Sequence, residues 1–162
     1  MTWLAGDLLP SLTGRWRIRR SIEDLRSASP VATLDGHADI LPDGPWQAFY
    51  VEEGLLSLHG GPPVNARRTY YYRQQDSGLE IFFDAERARL FHRLVLSEDA
   101  DGSLVAADLH LCGADRYEGL YRFGRGGSFS IEHAVTGPHK SYRSITRYER
   151  EGARRGPEIS SV

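Results

Sequence analysis

The sequence predicts an all-β fold: an antiparallel up-and-down β-barrel of about ten strands, entered through a short N-terminal helix. Three observations lead there. Turn-forming Gly, Pro, Asn and Asp recur at short intervals, supplying the fixed or positive φ that a reversal needs. The stretches between them have strand length and are rich in Tyr, Phe, Val, Ile and Leu, residues that suit a pleated surface. The 17 glycines, with 8 Tyr, 6 Phe and 3 Trp, point the same way. Many short strands in hairpin order build a sandwich or a barrel, and closure into a barrel removes the open edges.

Taken in order, "GDLLPSLTGRW" suits a short helix or 3₁₀ turn that plugs one barrel end before the first strand. Strands are then expected at 14–22, 36–41, 47–57, 66–73, 79–84, 89–96, 103–112, 116–123, 128–135 and 141–149. Turns separate them at "SASPVATLDG", "LPDGPW", "HGGPPVNA", "QDSG", "EDADG", "CGAD", "GRGG" and "TGPHK". "DAERARLFHRL" contains good helix formers, but it is short and lies between β-rich stretches, so "DAER" is read as a turn. Residues 1–150 are expected to form one domain. The polar tail 151–162, broken by Gly and Pro, is expected to be disordered.

Composition narrows the function classes. The net charge of -2 and pI near 6.3 argue against a nucleic-acid partner, which calls for a basic stripe. No stretch approaches the ~18 apolar residues of a membrane helix, and the start lacks a basic leader. A protein without membrane insertion, in the cytoplasm, is therefore expected. The single cysteine, Cys112, excludes an internal disulfide and fits a reducing compartment.

The segments "LTGRWRIRRSIED", "GHADI", "YVEEGLL", "ARRTYYYR", "LFHRL", "HLCGADRYEGLY" and "VTGPHKSYRSITRY" together resemble DUF6314, a bacterial family of unknown function. The resemblance covers nearly the whole chain up to residue 150. It implies a lipocalin-like, calycin-type barrel and carries no established reaction. Where it leads one to expect a Lys-Asp pair before the tyrosine, this chain has Lys140 and Ser141.

Strand side chains alternate between faces, so residues two apart share a side. By that parity Arg20 joins Trp16, Ile18 and Ile22; Glu52 joins Tyr50, Gly54 and Leu56; and Arg68 joins Tyr70 and Tyr72. Later strands group His92 with Leu94, His110 with Asp108 and Cys112, Tyr117 with Tyr121, and Lys140 with Tyr142. Each set mixes aromatic bulk with one or two polar heads, the composition of a ligand chamber. The opposite assignment stays open at this level, since Leu109 and Leu111 alternate with His110.

Arg20, Arg68 and Lys140, if they converge, make an anion pocket for a carboxylate or phosphate. Glu52 competes by pairing with either arginine. Arg67 and Arg73 fall on the other face and are expected to be solvated. His92 and His110 are the candidates for acid–base chemistry, against the simpler reading of a half-buried histidine satisfied by a carbonyl or a tyrosine hydroxyl. Cys112 is expected to be a buried, inert thiol. His92, His110, Cys112 and Asp115 lack a recognised metal spacing, so no metal is expected. The glycines of "FGRGGSF" are explained by a hairpin turn, without a phosphate-loop helix.

The leading reading is a barrel that binds a small aromatic or acid-bearing metabolite, with Arg20, Glu52, Arg68, Tyr70, Tyr117, Lys140 and Tyr142 as ligand-binding residues. The first alternative is an enzyme using the same cavity, an isomerase, lyase or cyclase with His110 or His92 as proton shuttle. The second is a haem-binding, nitrobindin-like barrel with His133 as the candidate ligand, an analogy of architecture alone. The leading reading needs no cofactor, and the sequence leaves the oligomeric state open.

Overall fold

A computed structural model describes residues 2–152. The expected tail therefore lies outside the described residues from 153 onward. A 3₁₀ turn at Ala5–Asp7 runs into helix α1, Leu8–Leu12, and eleven strands follow. They are β1 Gly14–Asp24, β2 Ser29–Pro42, β3 Gln47–Leu58, β4 Val64–Gln75, β5 Gly78–Phe82, β6 Leu90–Val95, β7 Ser97–Glu98, β8 Leu104–Cys112, β9 Asp115–Phe123, β10 Phe129–Thr136 and β11 Ser141–Arg150. All pairings are antiparallel, in the order β6-β5-β4-β3-β2-β1-β11-β10-β9-β8-β7. β1 pairs with β11, joining the first strand to the last as an up-and-down barrel requires.

The eleventh strand arises at the seam. β6 and β7 are one extended run interrupted at Leu96: the first part pairs with β5, and Ser97 and Glu98 pair with Val105 and Leu104 of β8. Between these two pairings the backbone ladder is missing. There the Arg93 N–H donates instead to Asp108 Oδ2 at 2.6 Å, a charge-assisted bond that keeps the strand edge satisfied. The barrel is thereby nearly closed.

One boundary differs from expectation. β2 starts at Ser29, seven residues before the expected start at Gly36. The reversal is confined to the segment just before it, where Ala28 takes φ 52°. Gly36 is a strand residue: it faces Gly54 across β2 and β3, and a Cβ on it would strike the Glu53 carbonyl oxygen. The glycine here permits close strand approach, which on sequence alone is easily taken for a turn.

The helix closes one end. Leu8, Leu9 and Leu12 are buried among Trp3, Trp16, Phe123 and Phe129, and Trp16 meets Phe129 edge-on at 4.8 Å between centroids. Polar anchors hold this plug at both ends. Gln74 accepts from Leu9 N at 2.9 Å and donates to Ala5 O at 3.0 Å. Arg150 donates to Ser11 O at 2.6 Å and Thr13 O at 2.7 Å, and its guanidinium lies 4.1 Å from the Trp16 ring centroid. Carbonyls at a helix C-terminus lack intrahelical partners, and a cation supplies them.

Candidate functional site

The other end of the barrel is hollow. A cavity of about 760 Å³ opens there, lined by parts of most strands. Ala32, Ala66, Val135 and Ser144 are among its small lining side chains. A drug-sized molecule occupies a space of this order.

The floor is a polar layer. Arg20 on β1 reaches across to Glu52 on β3 with two bonds of 2.7 and 2.8 Å, the forked geometry that suits a carboxylate. Its Nε donates to Thr146 Oγ1 at 2.6 Å. Tyr50 donates its hydroxyl proton to Glu52 Oε2 at 2.6 Å, so at the 2.8 Å Tyr50–Tyr148 contact Tyr148 is the donor. Burial by itself would raise the Glu52 carboxyl, but the Arg20 guanidinium outweighs it and holds the group below its ordinary pKa. Burial likewise opposes the charge on Arg20, and Glu52 reverses this and raises its pKa.

Arg68 on β4 makes the layer cationic. Its Nε is 3.8 Å from Glu52 Oε1, longer than the Arg20 contact, and its side chain keeps 43% of its surface accessible within the cavity. One carboxylate thus faces two guanidinium groups, and the Arg20 fork takes both of its oxygens. Beside this surplus charge stands an aromatic wall in which Tyr70 and Phe91 stack with rings 6° apart and centroids at 5.6 Å. Tyr117, Tyr142 and His110 stand further along the cavity lining.

Two expected residues are elsewhere. Lys140 does not converge with Arg20 and Arg68. It lies in the turn before β11, where its ammonium binds Asp115 Oδ2 at 3.0 Å and the Tyr117 hydroxyl at 2.8 Å, and these partners raise its pKa, Tyr117 most. The missing side chain of Gly137 makes room for the Asp115 carboxylate. Lys140 therefore orients Tyr117 from the rim.

His92 is absent from the cavity lining. Its ring packs where Gly119 has no side chain, and a Cβ there would lie 2.6 Å from His92 Cε1. Both ring nitrogens are engaged, Nδ1 with Tyr121 Oη at 2.7 Å and Nε2 with Tyr117 O at 3.1 Å. Burial lowers its pKa, opposed in part by the bond to Tyr117. It matches the satisfied core histidine better than the proton shuttle.

The sequence reading assigned His133 no role beyond the haem analogy, yet it lines the cavity and its floor. Its strand supplied the signal, because Phe129, Ile131, His133 and Val135 alternate along β10. Burial, then the neighbouring His92, Arg68 and Arg20, push its pKa down to about 3. Cys112, expected to be buried, is exposed at the end of β8. Arg73 is engaged with the buried Glu80 at 3.0 Å, and Arg93 holds the other oxygen of that carboxylate. Arg67 is exposed and pairs with Glu53. Among the described residues no group of three or more His, Cys, Asp or Glu gathers to hold a metal, and no helix is long and apolar enough to cross a membrane.

Comparison with known proteins adds a family and a fold. The model of DUF6314, a family of unknown function, matches residues 12–150. No curated protein matches the chain. Among solved structures, one described as EF1p2_mFAP2b bound to DFHBI is similar at 13% identity, with a TM-score of 0.50, covering 91% of this chain and 99% of that one. A second, described as a de novo designed fluorescence-activating β-barrel, is similar at 15% identity, with a TM-score of 0.45, over 90% of this chain and 98% of that one. At 13% identity the first likeness shows the barrel fold alone.

Proposed function

The chain belongs to the DUF6314 family of unknown function, and from that premise we propose that it binds a small aromatic metabolite carrying an acidic group in the hollow end of its barrel. One observation carries this reading: the Arg20–Glu52 fork leaves Arg68 as a surplus cation beside the Tyr70–Phe91 wall, in a cavity of about 760 Å³. Apolar and aromatic walls supply contact area, and a charged hydrogen bond orients the guest. Tyr117, Tyr142 and His110 complete the walls. The solved likeness at 13% identity is itself described with DFHBI bound, which is in keeping with a small-molecule guest.

Binding is favoured over acid–base catalysis. A catalytic base must reach the proton it takes and be oriented by a partner, whereas His92 is enclosed with both nitrogens bonded, and His110, which lines the cavity, packs edge-on against Phe83 and Phe91 with no hydrogen bond among the described residues to orient its ring. A haem site would use His133 and would show a Soret band on haem addition that disappears in His133→Ala. The present reading expects no such difference.

Two fluorescent probes separate the terms. 1-Anilinonaphthalene-8-sulfonate carries a sulfonate on an aromatic body that the neutral N-phenyl-1-naphthylamine matches without the charge. Both should brighten on binding the intact protein. Arg68→Gln should weaken the sulfonate probe about tenfold, the order of a charged hydrogen bond, and leave the neutral probe within about twofold. Equal losses for both probes, or no binding of either, would discard the reading.

A further inference from the structure

The hydrogen-bond chain behind the cavity wall fixes which proton each group carries. It begins at the Tyr117 carbonyl, which only accepts. His92 Nε2, 3.1 Å from it, must therefore bear a hydrogen. Burial keeps His92 in its neutral form, so its Nδ1 is the unprotonated nitrogen and accepts the Tyr121 hydroxyl proton across 2.7 Å. Tyr121 has no second hydrogen to give. At its 3.5 Å contact with His133 Nε2, the histidine is the donor. A neutral imidazole that bears its hydrogen on Nε2 leaves Nδ1 with a lone pair. Among the described residues no hydrogen-bond partner reaches that Nδ1, and His133 lines the cavity floor together with Arg20, Glu52 and Arg68.

Building on the binding reading above, we infer that His133 Nδ1 is a dedicated acceptor in the site, and that the ligand is an aromatic acid with a second, proton-donating group such as a phenolic hydroxyl. Arg68 receives the anion and His133 the hydroxyl. The two groups accept opposite chemistry from one molecule, and a guest lacking the donor covers that lone pair without matching it. Sites built around such a bond reject analogues that lack it far more strongly than apolar pockets discriminate by size. The acceptor is a weak base, pushed down to about 3 by burial and then by its neighbours His92, Arg68 and Arg20. It receives the ligand's hydrogen bond without removing the proton.

Two measurements test this in the intact chain. Nitrogen-15 correlation spectra of the ring should show His92 and His133 both protonated at Nε2 and bare at Nδ1 at neutral pH, with His133 staying so down to about pH 5, roughly two units above its value of about 3. In Tyr121→Phe the His133 lock should loosen into a mixture of tautomers. A His133 protonated at Nδ1 in the unaltered protein overturns the inference, whatever the ligand. Second, the 2-, 3- and 4-hydroxybenzoates and their methoxy counterparts compete against the sulfonate probe. At least one hydroxy compound should bind about tenfold tighter than its methoxy partner, a preference lost in His133→Phe and kept in His133→Gln, whose amide oxygen also accepts. Three matched pairs of equal affinity, with the probe still bound, overturn the inference and leave the binding reading standing. Failure of the probe itself removes that reading first.

Discussion

At the closed end of the barrel Trp16, Phe123 and Phe129 meet ring to ring under the helix, while at the open end the same strands present Arg20, Tyr117 and His133 to an empty space. β1 passes from Trp16 and Ile18 to Arg20, β10 from Phe129 and Ile131 to His133 and Val135, and β11 from Tyr148 through Thr146 to Ser144. These strands alternate inward and outward at both ends, so closure does not distinguish the ends. The gradient of side-chain volume and polarity along the inward faces does. Large rings fill the section that the helix seals, while the other section mixes small and charged chains with aromatic ones and leaves a cavity between them. A barrel of this class is wide enough for either outcome.

The polar layer between the ends should be the most sensitive point. Glu52→Leu leaves the Arg20 guanidinium buried without its partner, and the expected loss in chemical denaturation is about 3–5 kcal/mol. Replacing both residues, Arg20→Met with Glu52→Leu, should recover most of it. A double variant as unstable as the single one would show that the layer matters through shape and not charge. A smaller effect separates the two ends directly. Ala38→Leu adds volume to a fully buried position near the plug and should cost about 1–3 kcal/mol. Ala66→Leu adds the same volume at the cavity wall, should change stability by no more than about 0.5 kcal/mol, and should weaken the sulfonate probe. Equal costs would mean that the open end is as tightly filled as the closed one.

A further effect concerns pH. His133 titrates at about 3 when folded, against 6.5 as its ordinary value. Between those values the unfolded chain holds the proton that the folded one lacks, so this group's contribution is complete above about pH 6.5 and declines as the pH falls toward 3. The slope approaches at most about 1.4 kcal/mol per pH unit. Denaturation curves at about pH 7 and about pH 5 should therefore lie closer together for His133→Gln than for the unaltered protein. The same separation in both would place the histidine in an open, solvated setting.

Much of this was legible in the chain. The turn signals and strand parity led to a barrel with a helical plug, and parity within each strand grouped Arg20 with Trp16 and Ile18, Glu52 with Tyr50, and Arg68 with Tyr70, while the choice of inward face stayed open. It failed where local spacing is not the controlling variable. Lys140 belongs to a turn, where alternation has no meaning. His92 sits at the seam, beside a register shift between Ile81 and Phe82 in the β5–β6 pairing, which leaves Phe91 and His92 both buried. Gly36 looked like a turn because a glycine needed for strand approach and one needed for positive φ are the same letter.

Alternating polarity, turn chemistry and strand length are properties of neighbours along the chain, and the sequence by itself determined the fold class and which side chains share a face. Only the tertiary structure decided which end of the barrel stays empty, which arginine Glu52 neutralises, and which nitrogen of His133 is left bare. Those outcomes depend on partners brought together across 25 to 32 residues, as at His92 with Tyr117 and Arg20 with Glu52, and on the limited capacity of one carboxylate and one hydroxyl proton to satisfy them.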